Sequence, residues 1–347
     1  MLESLARTRV HRRTLLAAMG LSGVAASLAG CAPEGRSDAE FTITAGHGAT
    51  VDHFHHTSYL YFRDLIQEGS NGRISVKVHP NGVFGGDREV IEHVQLNNLQ
   101  VGLPSAAPLA AFIPQMNLWE IPFLFNSAEH AYATVDSAFG QSILDRADQF
   151  GMVGLAYWDN GFRNLTTRST RVEGPADVEN LSIRTLENTA HIRAWQAVGA
   201  NPTPMAFGEV YVGLQQGTIQ AQENPLPLIE SQRFYEVQQY VVLTRHLYNP
   251  SPFLMNRDFY SGLPSSLQDL VSQAALDTRD YCRDLGEQAD QSALETIQDA
   301  GVEVVELEQS QREAFAPQMQ RAAEGYIEAL VGQSMVEQLY SAVEEAA

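Results

Sequence analysis

Cysteine is nearly absent from this chain. Its 347 residues contain two, Cys31 and Cys282, so no disulfide framework braces the fold. Cys282 sits in a helical apolar pattern and reads as a small packed residue. Basic residues are also scarce: 22 Lys and Arg stand against 42 Asp and Glu, a formal net charge of −20. That balance excludes a nucleic-acid partner, because binding phosphates requires a basic face. An anionic ligand would have to be captured by individually placed cations against an unfavourable overall field. The common enzyme motifs are missing too: no G-x-S-x-G elbow, no G-x-x-x-x-G-K loop, no H-E-x-x-H and no C-x-x-C. Gly46-His47-Gly48 begins a dinucleotide fingerprint, but Val51 stands where its third glycine belongs. No nucleotide site is read there, and no cofactor is expected.

What is present points first to export. Residues 1–31 carry a basic start with Arg7, Arg9, Arg12 and Arg13, then an apolar run from Leu15 to Leu28. The run is too short and too rich in small residues for a membrane span. It ends in Leu28-Ala29-Gly30-Cys31, which resembles a bacterial lipoprotein signal with Cys31 as the lipid attachment point. A conventional cleavage site beside a chance cysteine is the alternative reading. Arg12-Arg13-Thr14-Leu15-Leu16 suits a twin-arginine export motif or an ordinary basic leader equally well. The mature chain is expected at the periplasmic or extracytoplasmic face of the membrane. Residues 32–40, polar and flexible, would tether it to its lipid anchor.

The remaining length exceeds what one core usually fills, so two lobes are expected. Strands are read at Phe41–Ala45, Ile74–Val78 and Leu99–Leu103, with helices between them. The first helix turns Tyr59, Phe62, Leu65 and Ile66 to one side, and the second is capped by Asp87. Ser127–Phe150 reads as helical and Met152–Trp158 as a strand. Asp159-Asn160-Gly161 breaks that strand, and Phe162–Thr167 starts another. Beyond this crossing the alternation repeats: strand Ser182–Thr185, helices Ala190–Val198 and Gly208–Gln216, strand Thr218–Ala221, a helix opened by Asn224-Pro225, and strand Val241–His246. Past Pro264, Leu267, Val271, Ala274, Leu285, Leu294 and Ile297 recur at helical spacing over a length greater than one lobe. Such a helix can run along both lobes as a spine. The class is therefore α/β with parallel strands, whose ligand crevice lies off the strands' carboxyl ends. His47 and Asp87 fall in loops at that crevice.

The candidate chemistry centres on arginine. Arg184 follows Leu181-Ser182-Ile183, so it leaves the end of a buried strand, where a guanidinium held in place can grip a carboxylate with paired hydrogen bonds. Arg163 emerges just after the lobe crossing. Asn224 offers an amide at a helix start, and Phe207 an apolar wall. His47, His53, His55 and His56 form the one cluster with metal-ligand types, but adjacent His55 and His56 would point apart, and no metal is expected.

At this point the residues resemble a known family, the solute-binding proteins of tripartite ATP-independent periplasmic (TRAP) transporters. The matching segments are Ser70-Asn-Gly-Arg73, Gly85-Gly-Asp87, Ile121-Pro-Phe-Leu-Phe125, Gly161-Phe-Arg163-Asn-Leu-Thr166, Ile183-Arg184, Gly199-Ala-Asn-Pro-Thr-Pro-Met205, Glu209-Val-Tyr211, Gln222-Glu-Asn224-Pro225 and Tyr235-Glu-Val237. Asn180 stands where that pattern favours glycine, and Gln220-Ala221 replaces its usual Asp-Gly. The resemblance implies a two-lobed periplasmic-binding-protein-like fold with a hinge and a long helix spanning both lobes. Lobe I would comprise residues 41–160 and about 249–288, and lobe II residues 161–248 and about 289–347. The implied function is to capture a small organic acid, of the sugar-acid or C4-dicarboxylate class, and deliver it to the small and large membrane subunits of an ion-gradient-driven permease. By the same resemblance Arg184 anchors the carboxylate, Arg163 and Asn224 assist, Phe207 packs on the ligand, and Asp87 and His47 face it from the other lobe. The protein would act as a monomer and not as an enzyme. Two alternatives remain open: a lipid-anchored hydrolase or lyase using Asp87, Glu209 or a histidine as general base, and a metal-binding protein using the His47–His56 loop.

Overall fold

The computed structural model describes residues 39–347; the export signal, Cys31 and the tether up to residue 38 lie outside the described residues. Strand β1 (Phe41–Gly46) turns Ile43 and Ala45 inward, and helix Phe54–Gly69 lays Tyr59, Phe62 and Ile66 over them. Next come β2 (Ile74–His79), β3 (Val101–Gly102), β4 (Met152–Thr167), β5 (Ser182–Thr185), β6 (Asn201–Pro204), β7 (Ala221–Asn224), β8 (Tyr240–Asn256) and β9 (Glu303–Glu306). They form one sheet in the order β2-β1-β3-β8-β4-β7-β5-β6, with β9 beside β8.

β1 runs parallel to β2 and β3 at one end, and β5 parallel to β6 and β7 at the other. The antiparallel pair β4 and β8 joins the two halves. Met152 pairs with Asn256 at the first half, and Thr167 with Tyr240 at the second. The expected break at Asp159-Asn160-Gly161 is therefore a bulge inside one long strand. The register slips between Asp159 and Phe162, and Gly161 takes φ 96°, a conformation that costs glycine little. β8 likewise continues well past the expected Val241–His246, because β4 supplies a partner along its length.

Other boundaries also differ. The strand expected over Leu99–Leu103 shrinks to Val101–Gly102. The helical stretch from Ser127 to Phe150 divides into helices Ala128–Val135 and Ala138–Leu144 and a 3-10 turn, because Ser127 and Ser137 each cap a new helix start. Asn180 takes φ 61°, left-handed backbone that asparagine tolerates best after glycine, which fits its place at a glycine-favouring position.

Helix Ser265–Asp299 is the spine, 35 residues long and roughly 52 Å at the helical rise. Its Leu267, Val271, Ala274 and Cys282 pack with Ile43, Phe62 and Trp158, and its Ala293 and Ile297 with Val210, Leu214 and Phe234. It approaches the bulged strand closely at Gly286, where a Cβ would stand 2.4 Å from Asp159 Oδ2. A third core gathers Trp119, Ile183 and Trp195. The last two helices, Gln309–Val331 and Gln333–Ala346, pack on helices Thr189–Ala197 and Ala128–Val135 respectively.

Candidate ligand-binding site

A cleft opens where the carboxyl end of β5 faces the start of helix Asp87–Gln95. Arg184, Arg163, Asn224, Phe207 and Asp87 all line it. The mouth is nearly shut: a Cβ at Gly86 would come within 4.0 Å of Ala206 Cβ. About 60 Å³ of space remains inside, against roughly 300–1,000 Å³ for an open ligand pocket. A larger cavity of about 720 Å³, which shares Asn160 with the cleft, is lined by Phe123, Tyr132, Phe162 and Arg245 and contains none of the predicted site residues.

Arg184 is the third residue of β5 and almost wholly buried. Its Nε and Nη2 donate to the carbonyl of Met205 at 3.0 and 2.7 Å. Nη1 is buried without a hydrogen-bond partner among the described residues. Burial lowers its pKa to about 10, with Arg163 nearby adding to the effect, so it stays charged at neutral pH. A buried donor left unpaired is costly.

Arg163 is placed differently from what its position after the lobe crossing suggests. Its Nε and Nη2 are taken by the carboxylate of Glu223, with Nη2 to Oε1 at 2.9 Å, and both side chains are buried. Nη2 also meets Asn224 Oδ1 at 3.1 Å, and Nη1 donates to Asn249 Oδ1 at 3.3 Å. One Nη1 hydrogen has no acceptor among the described residues. Asn224 does not cap a helix: it ends β7, Pro225 precedes helix Leu226–Ser231, and Asn224 Nδ2 donates to Gln222 Oε1 at 2.5 Å. The cap reading failed because β7 starts at Ala221, three residues later than the sequence suggested.

Asp87 is the first helical residue and not the cap, which is Gly86. Its freed carboxylate reaches across to accept the Ser105 N–H at 3.1 Å. Burial raises its pKa, opposed by Ser105 and by the nearby Arg184 and Arg163. His47 does not line the cleft. Its ring stacks on Tyr59 with centroids 5.0 Å apart, and its Nε2 lies 3.1 Å from His56 Nδ1. Packing turns it inward, and His55 lines the cleft in its place, fixed by Asp159 O at 2.7 Å from Nε2. Phe207 stands edge-to-face with Phe234, centroids 5.9 Å apart.

Sequence reasoning missed Glu223 and what surrounds it. Burial alone would push its carboxyl up; Arg163, His191 and His246 hold it well below the usual range. His246 Nε2 is 3.2 Å and His191 Nε2 3.5 Å from Glu223 Oε2, and Glu120 lies 3.6 Å beyond His191 Nδ1. Among the described residues, His191, Glu223 and His246 are the ones whose ligating atoms lie close enough together for a metal. There the Arg163 guanidinium already occupies the carboxylate, so the cluster reads as a neutralised support for Arg163.

The family model for bacterial extracellular solute-binding protein, family 7 (DctP) matches residues 45–329. The chain belongs to that family. Among relatives of this family-7 protein, the 2,3-diketo-L-gulonate-binding periplasmic protein YiaO of Escherichia coli is 33% identical over 264 residues, 76% of this chain and 80% of that one. The sugar acid binding protein DctPAm of Advenella mimigardefordensis, solved with galactonate, superposes with a TM-score of 0.86 at 30% identity, covering 88% of this chain and 98% of that one. A TRAP periplasmic solute-binding protein of Sulfurospirillum deleyianum with bound succinate gives 0.83 at 28%, covering 88% and 99%. The family-7 chain is thus a two-lobed TRAP solute-binding protein, a transport component and not an enzyme.

Proposed function

We propose that this protein captures a small organic acid by its carboxylate and delivers it to the small and large membrane subunits of an ion-gradient-driven TRAP permease. The observation that carries this reading is that Arg184 lines the cleft and its Nη1 is buried without a hydrogen-bond partner among the described residues. Arg163 and Asn224 assist from the same side, Phe207 packs on the acid, and Asp87 meets one of its polar groups across the cleft. Relatives that bind a diketogulonate, galactonate or succinate support the class. The cleft is too small to admit such a molecule as it stands, so the lobes, residues 41–160 with about 249–288 and residues 161–248 with about 289–347, part to load and close on the ligand. The protein works as a monomer at the extracytoplasmic face, anchored by lipid at Cys31.

A thermal-shift screen tests this, because a ligand that binds the native state raises apparent stability with its saturation. Sugar acids, C4-dicarboxylates, keto acids and amino-acid derivatives form the panel. At least one carboxylate is expected to raise the melting temperature; a panel without any shift contradicts the reading.

A further inference from the structure

The cavity of about 720 Å³ beside the cleft has the size of a ligand pocket, for which roughly 300–1,000 Å³ is usual. Only a thin wall separates the two spaces. Phe54, Phe162 and Pro227 line the cavity while their chain neighbours His55, Arg163 and Leu228 line the cleft, and Asn160 borders both. The segment Ile121–Phe125 takes no part in the cleft; it gives the cavity Phe123 and Phe125.

Backbone strain gathers at the same place. Apart from glycines and asparagines, the described residues with left-handed backbone are Phe123, Arg233 and Arg245, and Phe123 (φ 56°) and Arg245 (φ 44°) both line the cavity. The conformation is held by hydrogen bonds from the Phe123 N–H to His246 O at 2.7 Å and from the Arg245 N–H to Asn164 Oδ1 at 3.2 Å. Such backbone is costly for bulky side chains and clusters at ligand-binding segments.

Charge indicates the occupant. Five carboxylates line the cavity, against the guanidiniums of Arg245 and Arg312. Glu129, Glu287, Glu313 and Arg245 are exposed, where solvent and salt screen them, and Arg312 is half-buried. Asp159 is the buried charge of the lining, its Oδ1 accepting from Tyr248 at 2.9 Å. Burial raises its pKa to about 6, and Asp290 adds to the rise. Asp290 is half-buried, and its carboxylate has no hydrogen-bond or ion-pair partner among the described residues; burial raises its pKa, with Arg245 opposing. A cation in the cavity relieves both carboxylates. Asn160 Oδ1, buried and without a partner, calls for a donor as well. The aromatic side chains Phe123, Phe125 and Phe162 favour a cation that carries an apolar body.

We infer that this cavity is a second ligand site, separate from the acid cleft, and that it takes a small organic cation, its ammonium group paired with Asp159 and Asp290 and its apolar body against Phe123, Phe125 and Phe162.

Isothermal titration of the protein with phenethylammonium, phenethyl alcohol, hydrocinnamate and methylammonium tests the inference, together with Asp290→Asn and with Ala316→Trp, which adds an indole to the cavity wall. Phenethylammonium is expected to bind with a Kd below about 1 mM, and at least about tenfold more tightly than the alcohol or methylammonium. Each substitution is expected to weaken it at least about threefold. No binding by about 10 mM overturns the inference, as does binding of methylammonium or the alcohol within about threefold of phenethylammonium. Unchanged affinity in either variant also overturns it, because the cation would then sit in the acid cleft or on the acidic surface. Hydrocinnamate bound more tightly than phenethylammonium, and weakened by Ala316→Trp, overturns it too, since the cavity would then choose an anion. Should Ala316→Trp fail to fold, Asp290→Asn decides alone.

Discussion

Arg163 and Glu223 form an ion pair sealed from solvent, their side chains 1% and 0% exposed. Removing one member of such a pair strands a buried charge, at a cost of about 3–5 kcal/mol. Glu223→Ala is therefore expected to lower the unfolding free energy by about that amount in a urea titration. A loss below about 1 kcal/mol would show that Arg163 does not depend on Glu223 for its charge balance.

The approach of the spine helix to the bulged strand depends on Gly286. An added Cβ would lie 2.4 Å from Asp159 Oδ2 and 3.5 Å from Phe54 Cε2. Gly286→Ala is expected to destabilise by about 1–3 kcal/mol through overpacking. Gly325→Ala, in helix Gln309–Val331 with nothing within 4 Å of its added Cβ, serves as the control and should gain about 0.5–1 kcal/mol from helix propensity. Equal melting temperatures for the two variants would refute the close-packing account.

Burial lowers the pKa of His47 to about 3 and that of His55 to about 4, with a backbone bond to Asp159 opposing the shift at His55. In the unfolded chain both histidines take up a proton near their ordinary value of 6.5. Between pH 6.5 and 4 the unfolded state therefore binds more protons, and stability falls as pH falls through that window. His47→Gln cannot charge and is expected to lose about 2–3 kcal/mol less than wild type over the same interval. Parallel stability curves for the two proteins would contradict it.

For the lipid anchor proposed at Cys31, Cys31→Ser is expected to move the protein from the detergent phase to the aqueous phase on partitioning of cell membranes, because the substituted hydroxyl would not be acylated. Unchanged partitioning would rule out acylation at Cys31.

The two halves of the fold were legible because their β-α-β alternation is local, and so was the place of Arg184 in the cleft, one residue before the end of a strand whose neighbours Leu181 and Ile183 are plainly apolar. Glu223 was not legible. All four residues of β7 are buried, three of them polar, and such a run lacks the alternation that marks a strand. Its place is set by pairing with Leu165 of β4, a partner far away in sequence. His191 and His246 reach Glu223 through the same long-range geometry. The sequence signal that could have found the cluster is a glutamate between Gln222 and Asn224 with no apolar neighbour to bury it, in a chain that already required a partner for Arg163.

The central claim is that Arg184 holds the ligand's carboxylate, and calorimetric titration of wild type and Arg184→Ala with the best-binding acid from the screen tests it most directly. The account predicts that the variant, while still folding cooperatively, binds about 2–5 kcal/mol more weakly. Binding of that acid within about threefold of wild type would contradict it.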